Sequence, residues 1–460
     1  MNAAEARLGD LRRRVCLHLV GASTISGGGG SNTFIRGLAR RQADLGWTPI
    51  VVLSQGRGQT VGNDDKSSEN FEVRVLPEVR GVDRRAYYNR CPVEAPGVAE
   101  LFSELCPRVV HFHTLNPAAG RLHLEAAKAV NARTVVTYHT GGISCPQTGL
   151  LENGRAPCDG RLSLERCTRC RFANRGIPRP VAEFLARHPS RMGSHADSSL
   201  FGRLVSSRAM TDEFIRSFHH AVSLIDVFHI QSRWIADVLR TNGVPASKLA
   251  LVEMGVAQAA AVGRSDLPES FSKDRPLRLV FAGRCIDVKG IETILAAFRI
   301  LPPAVPVEVS FLGSGWETAY GVKLLRQFDR DIRLQRPRVI CNDDILEELG
   351  RHDVCIVPSI WLETGPLAVY EAMAAGVPVV GSCLGGIAER VRHNIDGLLF
   401  QPGNARELAQ IIRALVACPD RLRQLQRNIK PQRTFDDMTQ ELDKIYLEGE
   451  PASCGSGSGC

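Results

Sequence analysis

One stretch of the chain, residues 358–382 (PSIWLETGPLAVYEAMAAGVPVVGS), most constrains the fold that this sequence can adopt. It follows an apolar run and contains a helical segment that opens at Gly365 and Pro366, closes at Gly376 and leads directly into a second apolar run, 377–380. Proline suits a first helical turn because it has no N–H to leave unpaired, and glycine accepts the left-handed conformation that ends a helix. The stretch therefore predicts a strand–helix–strand unit of a parallel sheet, whose strand-to-helix loop is a common ligand site.

Two glutamates, Glu363 and Glu371, flank the start of this helix in an E-x7-E spacing. The backbone at Gly365, Pro366 and Leu367 offers free N–H groups and the positive end of the helix dipole, which suit a phosphate or another anionic group. A buried carboxylate two turns further in, at Glu371, suits a hydroxyl-rich group such as a ribose. On spacing alone, an ordinary amphipathic helix with a solvated glutamate is the better explanation of this pattern.

The same segment, together with residues 385–400 (GGIAERVRHNIDGLLF), resembles the retaining family-four glycosyltransferases. The resemblance implies the α/β GT-B architecture, in which two Rossmann-like, doubly wound parallel-sheet domains face each other across a crevice. Family members often have Phe-Gly after the first glutamate, where this chain has Thr364, Gly365 and Pro366, and this difference concerns the donor sugar more than the reaction. The positions that match the family in order are Pro358, Ser359, Glu363, Pro366, Glu371, Ala372, Gly376, Pro378, Gly385, Gly386, Glu389 and Gly397.

The bulk properties are those of a soluble globular protein. Its 460 residues exceed the size at which a single core keeps growing, which favours two large domains. The net charge of +8 is scattered and favours anionic partners such as nucleotide sugars or anionic lipids, while no nucleic-acid-binding motif of the usual spacing is present, so we expect no nucleic-acid partner. No apolar run approaches the roughly 18 to 20 residues of a membrane helix, and the N-terminus has acidic residues before its short apolar stretch. We therefore expect a cytoplasmic protein, with peripheral contact at the inner membrane face still allowed.

The first half of the chain alternates strand-like and helical segments, which predicts a parallel, doubly wound sheet. A run of four glycines, 27–30, separates the apolar run 15–20 from a helical stretch. Backbone at such a loop can approach a ligand closely, although a flexible turn explains a glycine run equally well. By the family resemblance, Gly28 and Gly29 would contact the donor.

Two histidines, His113 and His139, each stand where a predicted strand ends, the position that lines the crevice in sheets of this kind. For a lone histidine, a structural hydrogen-bonding role has about equal weight. By resemblance, His139 would contact the transferred sugar from the first domain, and His113 corresponds to a more weakly functional position. Thr140 stands where many family members have aspartate.

The segment after His139, at about 141–195, loses its periodicity and is typical of a functional or disordered insertion. It contains four cysteines in the pattern C-x12-C-x8-C-x2-C: Cys145, Cys158, Cys167 and Cys170. We expect the 14 cysteines of a large chain of this kind to be reduced, so the cluster predicts one structural zinc ion. Unligated thiols, a disulfide pair or an iron–sulfur cluster are the alternatives. The cluster also resembles an insertion found in one branch of the family, and no cofactor is expected for catalysis.

The second half carries the candidates for binding a diphosphate. Arg284 and Lys289 lie in GRCIDVKG, between a strand-like run and a helix, where two fixed cations suit a diphosphate. Surface charges explain most such pairs, so the motif depends on its G-R-x4-K-G frame, which resembles the diphosphate site of the family. By the same resemblance, Glu371 would hold the ribose, Glu363 the transferred sugar, and backbone near Cys341 the nucleobase.

The sequence predicts a chain of two domains joined by a linker. The predicted parts are 1–256, the acceptor-side domain with its cysteine-rich insertion; 257–276, the linker; 277–430, the nucleotide-sugar domain; 431–448, a helix crossing back to the first domain; and 449–460, a disordered tail.

The resemblance implies a retaining glycosyltransferase that moves a sugar from a nucleotide-diphosphate sugar to a hydroxyl of a glycan, lipid-linked or small-molecule acceptor. Because a fold does not fix a function, two alternatives stay open. One is a non-catalytic nucleotide-sugar-binding or metal-sensing protein. The other is a different GT-B activity, such as an epimerase or a phosphorylase.

Overall fold

The computed structural model describes residues 14–22, 24–25, 29–56, 70–188, 206–257, 267–341 and 344–448. Within these ranges the chain forms two parallel β-sheets covered by helices, and a two-stranded hairpin lies beside the first sheet. The predicted α/β fold with two parallel sheets is confirmed. Gly28, residues 258–266 of the predicted linker and the predicted tail lie outside the described residues.

The described part of the first half forms nine strands: β1 (Val15–Val20), β2 (Thr48–Ser54), β3 (Glu72–Leu76), β4 (Val109–Phe112), β5 (Arg133–Thr137), β6 (Leu151–Glu152), β7 (Ala156–Pro157), β8 (Val227–Ile230) and β9 (Leu249–Leu251). Seven of them make one parallel sheet in the order β3-β2-β1-β4-β5-β8-β9, and β6 and β7 pair as an antiparallel hairpin. The central strand β1 is buried at every position, because both faces of the sheet are covered. This burial explains why it forms an unbroken apolar run around one histidine.

Eight α-helices accompany these strands in the described ranges: α1 (Gly30–Asp44), α2 (Arg84–Asn89), α3 (Val98–Leu105), α4 (Arg121–Ala129), α5 (Leu164–Ala173), α6 (Arg179–Arg187), α7 (Ser207–Leu224) and α8 (Arg233–Thr241). Helix α1 buries one apolar face, which includes Phe34, Ile35 and Leu38. Its opposite face carries the arginines, as the 3.6-residue periodicity predicts. The helix begins at Gly30, the last of the four glycines, and Gly29 is its N-cap.

The second half forms five strands and eight helices within the described residues. The strands are β10 (Leu277–Ala282), β11 (Val307–Leu312), β12 (Val354–Val357), β13 (Val379–Ser382) and β14 (Gly397–Phe400), and the helices are α9 (Ile291–Ile300), α10 (Ala319–Leu325), α11 (Ile345–Gly350), α12 (Leu367–Ala374), α13 (Gly385–Arg390), α14 (Ala405–Ala417), α15 (Pro419–Arg427) and α16 (Phe435–Leu447). The sheet is parallel throughout, in the order β11-β10-β12-β13-β14.

The terminal helix α16 packs against the first sheet's helix α1 rather than against the second sheet. Gly37 of α1 makes room for Phe435, because a Cβ at Gly37 would lie 2.8 Å from that ring. Further along, the Trp47 indole donates to Asp443 over 2.6 Å, and Tyr446 reaches a histidine inside the sheet. The helix therefore connects the end of the chain to the core of the first domain.

The cysteine-rich segment is more regular than its sequence pattern predicts. Helices α5 and α6 and the hairpin β6–β7 form it, and α5 packs on α7. Arg171 of α5 is fully buried, with its guanidinium 4.2 Å from the centre of the Tyr88 ring. Polar residues, Arg171 and Thr168, thus share the buried face of α5 with Phe172, so this helix lacks a continuous apolar stripe.

No helix in the described part of the chain combines the length and the apolar character that crossing a membrane requires.

Candidate active site

The candidate site lies where loops at the carboxyl ends of the two sheets meet. His139 follows strand β5 of the first sheet, and Thr364 lies in the loop after strand β12 of the second. The Thr364 hydroxyl donates to the carbonyl of His139 over 3.0 Å. Because ligands of open parallel sheets bind outside the carboxyl ends of strands, this contact marks the crevice between the two domains.

The loop before helix α12 is attached to the first domain by several hydrogen bonds. The Trp234 indole donates to the carbonyl of Glu363 over 3.0 Å, and the Ser232 hydroxyl donates to the carbonyl of Thr364. Glu389 of α13 accepts the backbone N–H groups of Arg233 and Trp234, each over 2.7 Å. A carboxylate of the second domain thus satisfies the free N–H groups at the start of α8, and the negative charge suits that end of the helix.

Glu363 and Lys289 form a partly buried ion pair at this crevice. The Lys289 ammonium donates to Oε1 of Glu363 over 2.8 Å, and the Ser359 hydroxyl donates to the same oxygen over 2.7 Å. Burial tends to raise the pKa of Glu363, but the charge of Lys289 and these hydrogen bonds outweigh it and hold the pKa below its ordinary value. Glu363 is therefore an anion, and its Oε2 has no hydrogen bond among the described residues.

Arg284 lies on the same loop as Lys289, five residues earlier, and is exposed. The described residues provide it with no ion-pair partner. Its loop follows Gly283, which packs so tightly against the next strand's loop that a Cβ at Gly313 would lie 2.1 Å from the Gly283 carbonyl. Gly313 itself has a φ of +135°, which glycine alone adopts easily. These glycines bring the two strand-end loops of β10 and β11 together below the crevice, with a cation available at its edge.

Helix α12 begins slightly later than its sequence predicts. Its first residue is Leu367, and Pro366 is the N-cap, because the Val369 N–H already bonds to the Pro366 carbonyl. The Leu367 side chain lies 4.0 Å from the position that a Cβ at Gly30 would take, while a Cβ at Gly29 would meet nothing within 4 Å. Gly30 therefore lies beside the start of α12, with open space at Gly29.

Gly365 also sits against the first domain, where a Cβ would lie 2.4 Å from the Gln231 amide oxygen. A side chain larger than glycine at this position would separate the two domains at the crevice.

Glu371 lies on helix α12, one turn beyond Leu367 and partly buried. Among the described residues it has no ion-pair or hydrogen-bond partner. Burial therefore raises its pKa to about 8. A carboxyl group without a protein partner, on a helix whose start faces the crevice, is available to a ligand.

Cys341 is exposed and follows a segment that pairs with the end of strand β11. Arg338 pairs with Leu312, and the Gly313 N–H donates to the Arg338 carbonyl over 2.8 Å. The backbone leading to Cys341 therefore lies at the same carboxyl edge of the second sheet as the loop of Arg284.

His139 connects the crevice to buried histidines below it. Its Nε2 lies 3.2 Å from Nδ1 of His113, which is itself fully buried. Burial lowers the pKa of His139 to about 3, so its imidazole is neutral at ordinary pH. In this state one ring nitrogen donates a hydrogen bond and the other accepts one.

The four predicted metal ligands, Cys145, Cys158, Cys167 and Cys170, all line one small cavity between the hairpin β6–β7 and α5. In the described part of the chain, only His18, His111 and His113 bring three possible metal ligands within 4.8 Å of one another. No three of the cysteine sulfurs are that close. All twelve described cysteines are free thiols.

Sequence reasoning missed several residues that build the site. Ser359 had been matched to the family without a role, and Trp234 and Ser232 were not singled out. A signal for the buried histidines was available, because His18, His111 and His229 each interrupt an otherwise apolar strand. A polar group inside a buried strand needs a partner, so three such positions on one sheet indicate a network.

Comparison with known families gives two matches. The model described as "Glycosyl transferase 4-like domain" matches residues 29–255, and the model described as "Glycosyl transferases group 1" matches residues 264–432. Each match falls on one of the two sheets, and together they span most of the chain.

Curated relatives align with part of the chain. The chain is 27% identical over 223 residues to the amylovoran biosynthesis glycosyltransferase AmsK of Erwinia amylovora. This alignment covers 46% of the chain and 52% of the relative. The chain is 31% identical over 179 residues to D-inositol 3-phosphate glycosyltransferase 1 of Catenulispora acidiphila. This alignment covers 36% of the chain and 42% of the relative. The chain thus spans about half the length of the curated relatives it matches.

Among solved structures, the fold is similar to that of Anabaena HepE in complex with UDP and glucose. The TM-score is 0.64 at 16% identity, over 94% of this chain and 99% of the other. This likeness confirms the predicted GT-B architecture, with the crevice between its two domains.

Proposed function

We propose that this chain, which belongs to the GT-B glycosyltransferases, transfers a sugar from a nucleotide-diphosphate sugar to a hydroxyl group of an acceptor. The observation that carries the proposal is the Lys289–Glu363 pair, which lies on the second domain and is connected through Thr364 to His139 of the first. A cation for a phosphate, an anion for a sugar and a neutral histidine from the opposite domain thus meet at one crevice. The complex of HepE with UDP and glucose supports a uridine nucleotide as the first donor to try.

The main chemical requirement of such a transfer is to stabilise the negative charge that grows on the leaving diphosphate. Arg284, Lys289 and the free N–H groups at the start of helix α12 would do this as charges and dipoles fixed before the reaction. Lys289 would be shared between the β-phosphate and Glu363. Glu371 would hold the ribose, and the backbone near Cys341 the base.

We further propose that the reaction retains the configuration of the transferred sugar. Oε1 of Glu363 is occupied by Lys289 and Ser359, which leaves Oε2 to accept a sugar hydroxyl. With Glu363 engaged in this way, attack by the acceptor on the same face from which the diphosphate leaves is the favoured route. The diphosphate oxygen would accept the proton of the attacking hydroxyl, so no separate base is required.

The acceptor would enter from the first domain, beside His139 and the cysteine-rich segment. We propose a hydroxyl of a glycan, of a lipid-linked sugar or of a small molecule, in a protein that works in the cytoplasm or at the inner face of a membrane. The amylovoran biosynthesis enzyme among the relatives favours an acceptor from polysaccharide synthesis.

Release of nucleoside diphosphate from UDP-, GDP- and ADP-sugars, with and without an acceptor extract, tests the proposed function. A thermal-shift screen selects the donor first, because a ligand at a hundred times its dissociation constant adds about 2.7 kcal/mol of stability. We expect diphosphate release only when an acceptor is present. Binding of the nucleotide sugar without release of diphosphate would indicate a non-catalytic protein. A changed sugar without that release would indicate an epimerase, and a reaction that depends on inorganic phosphate would indicate a phosphorylase.

A second proposal is that the four cysteines hold one structural zinc ion. The four cysteines line one cavity, and two of their sulfurs accept backbone N–H groups: Cys170 from Asn153 over 3.2 Å and Cys158 from Gly160 over 3.4 Å. Such bonds stabilise a thiolate and orient it. Sulfurs about 2.3 Å from zinc lie roughly 4 Å apart, so the cavity would contract around the ion. Four sulfurs complete the tetrahedral set and leave no position for a substrate.

We expect about one equivalent of zinc in protein purified without oxygen or chelator, and a loss of it in Cys158→Ser. Burial raises the pKa of all four thiols, to about 11 for Cys145, so zinc must displace protons and its retention should fall as the pH falls. Elemental analysis measures the metal, and Cys106→Ser, at an exposed thiol outside the cavity, is the matched control.

Loss of the ion should loosen residues 141–175 in limited proteolysis and impair acceptor use more than nucleotide binding. Less than a tenth of an equivalent of zinc, or a visible iron chromophore, would overturn the assignment.

A further inference from the structure

A continuous layer of histidines, bridged by one threonine, lies inside the first sheet, below the crevice. His18 of β1 stands beside His111 of β4 in the strand register, and Thr137 of β5 stands beside His229 of β8. All four are fully buried. With His113 just after β4, they fill the polar layer of an otherwise apolar sheet. The proposed catalytic steps use none of them directly.

One arm of hydrogen bonds leads inward from the crevice. Nε2 of His139 lies 3.2 Å from Nδ1 of His113, and Nε2 of His113 lies 3.0 Å from Nδ1 of His18. Nε2 of His18 then lies 2.5 Å from the amide oxygen of Gln42. Gln42, on helix α1, is buried.

A second arm leads from Tyr446 to a backbone carbonyl. The Tyr446 hydroxyl lies 2.6 Å from Nδ1 of His111, whose Nε2 lies 2.6 Å from the Thr137 hydroxyl. That hydroxyl lies 2.8 Å from Nδ1 of His229, whose Nε2 lies 3.0 Å from the carbonyl oxygen of Val252. The two arms lie side by side, because the rings of His18 and His111 have their centres 5.6 Å apart.

The carbonyl end of this network fixes the direction of the second arm. The oxygen of Val252 can only accept, so Nε2 of His229 must carry its proton and Nδ1 must accept from Thr137. The Thr137 oxygen then accepts from Nε2 of His111, and Nδ1 of His111 accepts from the Tyr446 hydroxyl. Each group has one donor and one acceptor, so no bond in the series can be reversed alone.

Gln42 fixes the direction of the first arm. Its amide nitrogen lies 3.8 Å from the Cys16 sulfur. The amide oxygen therefore faces His18, as its 2.5 Å contact shows. His18 must donate through Nε2, His113 must do the same, and so must His139.

All histidine rings in the network are neutral, so each has one nitrogen that donates and one that accepts. Burial lowers the pKa of His18 and His229 to about 4 and that of His139 to about 3, and it lowers the pKa of His111 and His113 well below the usual value. A metal ion on His18, His111 and His113 is the competing explanation, because their nitrogens lie within 4.8 Å of one another. Every ring nitrogen of these three residues already has a hydrogen-bond partner, so the network accounts for their approach.

We propose that this network holds His139 in the Nε2–H tautomer and leaves its Nδ1 as a hydrogen-bond acceptor for a hydroxyl of the transferred sugar. Nδ1 of His139 makes no hydrogen bond to any described residue. Gln42 and His18 are then positioning residues, which act on the sugar through His113 and His139. The sugar contact rests on the proposed function, whereas the tautomer does not.

The tautomer can be read directly from the ¹⁵N chemical shifts of histidine-labelled full-length protein at neutral pH. We expect the five histidines of the network to be neutral and protonated on Nε2. A His139 protonated on Nδ1, or charged, would overturn the proposal without any variant and without any assay of activity.

Gln42→Leu tests the connection, because it removes the acceptor of His18. We expect His139 of this variant to show a mixture of both tautomers. Cys16→Ala removes a sulfur that lies 3.7 Å from Nε2 of His18 but keeps the Gln42 acceptor, so it should leave the Nε2–H form intact. Equal effects of the two substitutions would show a packing role only and would contradict the proposal.

Deoxyfluoro analogues of the accepted donor test the sugar contact, because fluorine cannot donate a hydrogen bond. At one sugar position we expect kcat/KM to fall about tenfold in the wild type, in line with one lost hydrogen bond, and less in Gln42→Leu. If His139 is in the Nε2–H tautomer but the wild type uses all analogues equally well, only the sugar contact is contradicted. The proposed function is tested separately, by the release of diphosphate.

Discussion

Replacing Lys289 or Arg284 with alanine is expected to lower turnover by about a hundredfold each, while the protein still folds and binds nucleotide sugar. Both cations act on charge that grows as the bond to the diphosphate breaks, so their loss raises the barrier more than it weakens the ground-state complex. Single-turnover kinetics with saturating donor separates these two effects. Lys323→Ala, on the exposed face of helix α10 in the same domain, is the matched control.

The two variants should differ in their dependence on pH. Arg284 is exposed without an ion-pair partner among the described residues, so its removal leaves no group unpaired. Removing Lys289 leaves the buried carboxylate of Glu363 without its cation, and burial should then raise the pKa of Glu363. The residual turnover of Lys289→Ala should therefore rise with pH, whereas that of Arg284→Ala should keep the wild-type profile.

The ion pair also has a consequence for stability. The pKa of Glu363 is held below its ordinary value in the folded protein. The pair therefore contributes its full stability at pH values above the ordinary pKa of a glutamate, and this contribution is lost as the pH falls through the lower pKa of the folded state. Lys289→Ala should be less stable than the wild type at neutral pH, with a smaller difference in acid. Near-normal turnover in either alanine variant would show that the diphosphate site lies elsewhere.

The sequence predicted most accurately those parts of the fold and of the candidate site that depend on residues close together along the chain. The apolar runs around residues 358–382, the proline and the glycine predict helix α12 and its two strands. The structure starts the helix slightly later, at Leu367, and places the second strand at Val379–Ser382 rather than at 377–380. The cations Arg284 and Lys289 were placed on a strand-end loop for the same local reason. In each case the signal lies within one turn or one loop.

Contacts between distant parts of the chain could not be predicted in this way. Lys289 and Glu363 are 74 positions apart, and the contact of Glu389 with the start of α8 joins the two domains. Such pairs depend on how the two sheets are placed, which periodicity does not encode. The histidine network is a further case, because its direction depends on one carbonyl, that of Val252, at the far side of the sheet.

Glu371 gives the second large prediction, because its state should change when the donor binds. In the free protein its pKa is about 8 through burial, so at pH 7 it is mostly protonated. Two ribose hydroxyls that donate to the group favour the carboxylate, so nucleotide-sugar binding should lower this pKa and release a proton. Affinity should therefore rise with pH up to about 8 and level off above it, since the free protein is then already ionised.

Glu371→Ala should lose this pH dependence. Its affinity at pH 8 should be at least tenfold lower than that of the wild type, because charge-assisted hydrogen bonds of this kind contribute on the order of 1.5 to 3 kcal/mol. The loss should be smaller at pH 6, where the wild type must first give up its proton. Calorimetry in two buffers of different ionisation enthalpy measures the released proton, with a nucleotide sugar as ligand because its phosphates do not titrate near neutrality. Glu371→Gln, which keeps the shape but cannot ionise, should bind without proton release. Unchanged affinity in Glu371→Ala, with the fold intact, would refute the ribose assignment, and proton release that persists in Glu371→Gln would assign the titration to another group.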